Sequence, residues 1–456
     1  MPTLPPRLQA LRSSSVLRYG LTNLLPRSVA ILITLIVTPL AISRLGLLEY
    51  GVWALATLVP NLVPTPDLGL TNGVVNEVAR THQRDGHLRS ERGRLLGLKK
   101  LLGLIAIVWL ALGAGGLAVY TFAGGASDVA PLKVYTALLL ALAIFVVGIP
   151  PTLWNKAQLA QERGHEYLAW EGVGKVTSLV ASVLVLLLVP NLYLLIIATM
   201  LPSVIASLIN GWRYQRSELG PAAAGEPSMS LRQIIQQNRA VFSAGKFFVL
   251  FQVAFLLGTA MDPFIIKNLL GTRDVAYLTL ARRPFEALPL VVTLFSTALW
   301  PVFYRLNAAN QVGEVKRLLL RIGGGTVLLL ALLSGAILLF SGPIYRYLGN
   351  GAVNIRVGDL LWIALSISAV TLVIICNNYL NAMHLLRQQA FVQVGAAVTG
   401  LVCKVISLRV GGLPAYFATA AVVYFTLALL PSLWLTLQHL QLRQRQAAEG
   451  NTSAQS

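Results

Sequence analysis

Apolar residues in this chain come in long runs of roughly twenty, the length an α-helix needs to cross the hydrocarbon core of a bilayer. The runs fall at 21–43, 51–79, 96–122, 132–154, 169–189, 191–211, 240–265, 275–303, 318–341, 357–381, 391–409 and 414–437. So many spans leave almost no chain for a soluble domain. Only 12% of the residues are charged, about half of what a soluble protein carries. A mean hydropathy of +0.70 also exceeds what a water-facing surface could hide. The expectation is an all-α membrane protein of about 12 transmembrane helices.

The charge left over is lopsided, with 36 Lys and Arg against 17 Asp and Glu, a formal net charge of +19. It lies between the apolar runs and at their ends, which argues for topology and against nucleic-acid binding. With the spans above, about 23 basic residues fall on the side of the N-terminus and about 7 on the other; basic loops stay cytoplasmic. Both termini are therefore expected in the cytoplasm. The densest basic loop runs from Arg80 to Lys100. Trp154, Trp170, Trp212, Trp300 and Trp434 fall near the same interface, where indole rings prefer to sit. Met1 to Gly20 has no short apolar core with a small-residue cleavage site, so it reads as a cytoplasmic tail and not a signal peptide.

Two six-helix halves are expected. The polar stretch 212–238 contains Gly and Pro and falls near the midpoint, so it reads as a cytoplasmic linker between bundles 21–211 and 239–438, with a polar tail at 439–456. The halves also resemble each other. LGLLEYGVWAL (45–55) aligns without gaps on LGTRDVAYLTL (270–280), matching Gly46 with Gly271, Glu49 with Asp274, Gly51 with Ala276 and Leu55 with Leu280. Two six-helix halves point the same way, so their pseudo-two-fold axis would follow the membrane normal, with a cavity between them. Pro39, Pro60, Pro64, Pro66, Pro284 and Pro289 predict bends.

No Walker-type loop, HExxH or Gly-x-Ser-x-Gly is present, and no loop on the expected outer side exceeds about 16 residues, so the chain is not read as an enzyme. Gly323 to Gly325 reads as a close helix contact. Cys376 and Cys403 lie in apolar runs, and His82, His87, His165, His384 and His439 are scattered, so neither a disulfide framework nor a metal site is implied. No cofactor is expected.

Charges within spans carry the functional signal, because each costs about 2.5–3.5 kcal/mol at the bilayer centre unless it faces a partner or a wet cavity. Arg27 stands about 25 Å along its helix from Arg44, inside the inner half or snorkelling to the inner surface. Arg282 and Arg283 point about 100° apart, with Glu286 one turn on; they face a cavity or cap the outer interface. A guanidinium matches phosphate bidentately, so Arg27, Arg282 and Arg283 are the candidate substrate-binding residues for an anionic headgroup. Asp67, Asp262 and Glu286 are the candidate counter-ions or ion-coupling groups. Glu171 and Lys175 read as an internal helix pair. Lys246 and Lys404 read as snorkelling residues near span ends. Asn377, Asn378 and Asn381 read as bonds between helices, and Glu77 as a further counter-ion.

The stretch ISRLGLLEYGVWALATLVPNLVPTPDLGLTNGVVNEVAR (42–80) resembles the first two helices of bacterial polysaccharide (O-antigen type) flippases, and AMDPFIIKNLLGTRDVAYLTLARR (260–283) resembles their helices 7 and 8. These motifs cover about a seventh of the chain; looser likeness extends over all twelve spans. The family belongs to the multidrug/oligosaccharidyl-lipid/polysaccharide exporter superfamily. The resemblance implies two six-helix lobes, alternating access, and a polyprenyl-pyrophosphate-linked oligosaccharide turned to the outer leaflet of a bacterial cytoplasmic membrane, in company with polysaccharide assembly proteins. Asp67, Leu68, Gly69 and Leu70 match the family's helix 2 motif, and Asp262 its helix 7 acid. Arg27, Arg282 and Arg283 match its cavity residues in character. Coupling to H+ or Na+ would fit the superfamily. The alternatives are a proton- or sodium-coupled multidrug antiporter and a peptidoglycan lipid precursor flippase.

Overall fold

The structure, a computed structural model, describes residues 15–63, 91–123, 128–161, 163–220, 250–296, 311–383 and 385–453, with a few single residues between them. Glu77, Arg80, Arg84, Arg89, Lys246, Trp300, His82, His87, His384 and most of the 212–238 stretch lie outside the described residues. Two compact units divide the chain at Val249 and Leu250.

The first unit contains α1 (Ser15–Leu45), α2 (Leu47–Leu58), α3 (Arg92–Phe122), α4 (Pro131–Val147), α5 (Thr152–Ala160), α6 (Gly164–Leu188) and α7 (Leu192–Leu219). At its centre α2 buries Tyr50 through Ala56 without a break, the signature of a helix surrounded on all sides. Glu49 in its first turn is ion-paired with Lys133 of α4, and Trp53 donates to Thr199 of α7 at 3.4 Å. The α6–α7 contact is close because Gly174 has no side chain. A Cβ there would stand 2.7 Å from the Cα of Ser203 and 3.1 Å from the Cβ of Ala206.

The second unit contains a π-turn at Leu256–Ala260, then α8 (Asp262–Leu269), α9 (Thr272–Arg282), α10 (Ala287–Ser296), α11 (Val312–Leu339), α12 (Ser341–Leu348), α13 (Val357–Ala382) and α14 (Leu386–Val423). A second π-turn at Tyr424–Leu429 leads into α15 (Leu430–Ser453). Its central helix is α9, which buries Val275, Ala276, Leu278, Leu280 and Ala281. The backbone at Gly412 leaves helical geometry with φ 63°, so α14 is two helices joined at a kink before Pro414.

The repeat noticed in the sequence has a backbone counterpart. Gly46 and Gly271 both cap the entry to a central helix with positive φ, 85° and 119°, a conformation that a side chain would strain. The aligned Leu55 and Leu280 are both fully buried. Each unit thus builds its central helix behind the same left-handed glycine corner.

Several expected boundaries move. Among the described residues nine segments are long and apolar enough to cross a membrane. One of them, Arg387–Arg445, has 59 residues, ample for the two spans expected there. The expected spans 51–79 and 275–303 are not continuous helices. After α2 a 3-10 turn at Val59–Leu62 contains Pro60, and Val63 is extended. In the other unit the chain breaks between α9 and α10 at Pro284, which has no N–H to continue the ladder. Helix α7 continues through Pro202 and past residue 212, the expected start of the linker, and ends at Gly220, whose φ is 66°. Likewise α1 begins at Ser15 inside the expected N-terminal tail, and α15 continues to Ser453 through the expected polar tail.

Gly323, Gly324 and Gly325 are not a close contact among the described residues: a Cβ at any of them would meet none of those within 4 Å. Glu171 and Lys175 form no ion pair among the described residues.

These glycines sort into two classes that a melting experiment separates. Gly174→Val is expected to lower the apparent melting temperature of the detergent-purified protein, at a cost of about 1–3 kcal/mol for overpacking. Gly103→Ala in α3, which faces open space, is expected to leave it unchanged or raise it. Equal effects would mean that α6 and α7 do not touch at Gly174.

Candidate functional site

Within the second unit, five elements bring a carboxylate, two cations and two phenols together. The π-turn Leu256–Ala260 comes first: Met261 N–H donates to Leu256 O, five residues back, at 3.0 Å. Such a widened turn re-aims backbone groups and is frequent at functional sites. Here the Gly258 carbonyl accepts from the Lys404 ammonium and from the Tyr424 hydroxyl. Tyr424 is the first residue of the other π-turn, and its hydroxyl also lies 3.1 Å from Thr259 Oγ1.

Asp262 follows directly, at the start of α8, where Pro263 costs no hydrogen bond and the helix N-terminus favours a negative charge. Its Oδ1 lies 2.5 Å from the Nζ of Lys404 on α14. Both side chains are 3% exposed. A pair buried this deeply persists only when its remaining hydrogen-bonding capacity is met. The ammonium meets it with the Gly258 carbonyl and with the rings of Tyr416 and Tyr424, whose centroids lie at 5.9 and 5.7 Å. The other carboxylate oxygen, Oδ2, faces Arg282 at the last turn of α9, 3.9 Å away.

One carboxylate therefore stands between two cations, and the cluster carries one positive charge in excess. Lys404 is committed to its contacts. Arg282 touches the carboxylate only at the edge of ion-pair distance and is 22% exposed, so donors on its guanidinium fork remain for an anion.

Arg283 turns elsewhere and pairs with Glu286 at 3.5 Å, the acid being half exposed. Asp67 belongs to the first unit. It is buried, and its Oδ2 accepts from the Thr71 backbone N–H at 3.1 Å and from the Thr71 hydroxyl, four residues on. Arg27 is half-buried on α1 after a buried Pro26. Of the six residues singled out in the sequence, the structure thus gathers Asp262 and Arg282 into one cluster and places Arg283 and Glu286 beside it in the chain as their own pair.

Sequence reasoning missed Lys404 and both tyrosines. Lys404 does not snorkel; it is drawn inward by Asp262. The available signal was charge parity: a buried acid in one apolar run calls for a basic partner in another. Asn377 and Asn381 leave their side-chain carbonyls buried with no hydrogen-bond partner among the described residues.

A family model described as "Polysaccharide biosynthesis protein" matches residues 17–307. No curated protein matches the chain. Among solved structures, an inward-facing multidrug resistance MATE family transporter of the MOP superfamily superposes with a TM-score of 0.72 at 13% identity, covering 93% of this chain and 99% of that one. Lipid II flippase MurJ in an inward closed conformation gives 0.69 at 11%, covering 91% and 86%. A MOP superfamily transporter from Pyrococcus furiosus, reported with a binding pocket of reversed polarity, gives 0.56 at 12%, covering 97% and 100%. At these identities the likeness is one of fold.

The ion-pair cluster predicts a graded response. Asp262→Asn leaves Lys404 and Arg282 unneutralised and is expected to cost about 3–5 kcal/mol of stability. Lys404→Met is expected to cost less, because Asp262 keeps Arg282. The double variant should be more stable than Asp262→Asn alone, with a coupling of at least about 1 kcal/mol in a double-mutant cycle of melting temperatures. Strictly additive losses would show that the two residues do not act as a pair.

Proposed function

The chain belongs to the polysaccharide biosynthesis protein family, and from that premise we propose that it carries an anionic lipid-linked saccharide across the membrane by alternating access. Its apolar helices of membrane-spanning length and its likeness of fold to MOP superfamily transporters support a carrier over an enzyme. The observation that carries the reading is the excess cation of the Asp262, Lys404 and Arg282 cluster. An embedded site with one spare guanidinium suits a phosphate-bearing headgroup and repels an organic cation.

In this reading the substrate is a polyprenyl-pyrophosphate-linked oligosaccharide moving from the inner to the outer leaflet of a bacterial cytoplasmic membrane. Both chain termini are cytoplasmic, and polysaccharide assembly proteins take up the product. Arg282 contacts the pyrophosphate, Arg283 and Glu286 stand as a neighbouring pair, and Arg27 is a further candidate anion-binding residue in the first unit. Asp262 holds Arg282 and Lys404 in place between substrates. An ion passing Asp262, or the membrane potential at about 2.3 kcal/mol per charge per 100 mV, biases the cycle.

A second reading has the fold likeness on its side. The solved structures named above include a multidrug resistance transporter at the higher TM-score and a lipid II flippase. In an antiporter of organic cations, Asp262 would exchange H+ or Na+ and would be the essential residue, with the arginines dispensable.

A liposome assay separates the readings. Purified protein is offered a fluorescent polyprenyl-pyrophosphate oligosaccharide, and an impermeant sugar-cleaving enzyme reports which leaflet holds it. Protein-dependent movement is expected, falling at least about tenfold in Arg282→Gln and in Arg27→Ala, with folding retained. Movement that survives both substitutions removes the arginines from the site. No movement, together with pH-driven efflux of an organic cation from the same vesicles, establishes the antiporter.

A further inference from the structure

The first unit holds a second polar feature that the transport reading does not use. Facing sides of α5 and α7 carry amides and other polar groups at successive turns. Gln158 and Asn210 exchange reciprocal bonds at 3.0 and 2.8 Å, Asn155 accepts from Asn210 at 3.2 Å, and Tyr214 donates to Gln161 at 2.6 Å. At the end of this ladder Arg163 grips Glu166 through two bonds, 2.7 and 3.0 Å long, and Glu218 through its third nitrogen.

Beside it opens a cavity of about 440 Å³ lined by Arg163, Glu166, Trp170, Asn210, Arg213 and Tyr214, among others. Arg163 and Glu166 satisfy each other, which leaves Arg213. Its guanidinium lies 5.5 Å from the Trp170 ring centroid, and among the described residues it forms no ion pair or hydrogen bond.

The cavity continues along α6 and α7. Trp170 and Val173 also line a groove of about 420 Å³ between α6 and α7. The groove is almost wholly apolar. Small residues, Gly174, Ala181, Ala198 and Ala206, line it, with Val173 and Ile205 among the larger side chains. From Trp170 to Val185 it follows α6 for about 22 Å, more than the roughly 15 Å of one leaflet's hydrocarbon. A tryptophan-flanked pocket, in which Arg213 forms no ion pair among the described residues, leads directly into an apolar channel of leaflet length.

We infer that α6 and α7 bind one membrane lipid with an anionic phosphate headgroup, the phosphate on Arg213 beside Trp170 and one hydrocarbon chain in the groove. The occupant is a lipid and not a free phosphate because the polar and apolar parts are continuous and share residues. The site lies wholly within the first unit and stands whatever the transported substrate proves to be.

Delipidated protein titrated with phosphatidylglycerol, and followed by native mass spectrometry and thermal shift, tests this. Phosphatidylglycerol is expected to bind and protect, phosphatidylcholine to do so at least about tenfold more weakly, and inorganic phosphate not at all. Arg213→Gln, which removes an exposed side chain that has no ionic partner among the described residues, should weaken phosphatidylglycerol about tenfold. Thr177→Trp, which fills the groove from an exposed position, should do the same. Arg216→Gln, which stacks on Trp212 outside the cavity, should leave binding intact. Binding unchanged by Arg213→Gln overturns the head site. Loss with Arg213→Gln but not with Thr177→Trp, or equal protection by inorganic phosphate, overturns the lipid in favour of a bare anion site. If the tryptophan variant fails to fold, the Arg213→Gln and inorganic phosphate comparisons still decide.

Discussion

A protein dissolved in hydrocarbon has no water to hydrogen-bond a polar atom left over by folding, and this absence governs the structure at every level. Backbone groups answer it by running in helices. Side chains answer it in two ways. In the first unit amides and a tyrosine hydroxyl are paired across α5 and α7, one turn above another. In the second unit an acid and a lysine are buried together, and the lysine's remaining capacity is met by a carbonyl that a π-turn presents to it. The two solutions differ in what they leave behind. The amide ladder closes on itself, whereas the ionic cluster keeps one guanidinium incompletely engaged.

That difference gives the cluster its chemistry. Asp262 alone would be an expensive residue in a membrane, and so would Lys404. Together with Gly258 and two aromatic rings they become tolerable, and Arg282 is then held near the same carboxylate at a distance where the attraction is real but the geometry is loose. Binding an anion there replaces a weak contact with a stronger one, and does not break the buried pair that supports the fold. The helix break between α9 and α10 falls immediately after Arg282. Position and supply of charge therefore come from the same short stretch of chain.

The length of apolar runs made the spans legible, because one number, the thickness of the bilayer, sets them. It failed where local chemistry overrode length: at 51–79 and 275–303 prolines interrupt runs that are long enough by count. The paired glycine corners were legible as an alignment of Gly46 with Gly271, since few residues accept a positive φ. The site was legible in part. Asp262 and Arg282 could be picked out as charges in spans, but Lys404 looked like a snorkelling residue. Position along a helix gives depth, yet not the face that a side chain occupies, and a five-residue turn at Leu256 shifts faces in a way that a 3.6-residue period does not anticipate. For the same reason the lone Arg213 and its groove left no mark in the sequence, being a matter of which sides of α6 and α7 meet.

The two π-turns, Leu256–Ala260 and Tyr424–Leu429, meet where Tyr424 reaches Gly258. A π-turn holds one more residue than the α-helical turn it replaces. Passing that residue along the helix rotates the intervening segment by about 100° and shifts it by about 1.5 Å, while the segments on either side keep their register. Two such turns locked by one phenol form a screw with its stop in place. The Gly258 carbonyl that the phenol reaches also accepts from Lys404, the partner of Asp262, so the charge cluster and the tie between the two turns share one acceptor.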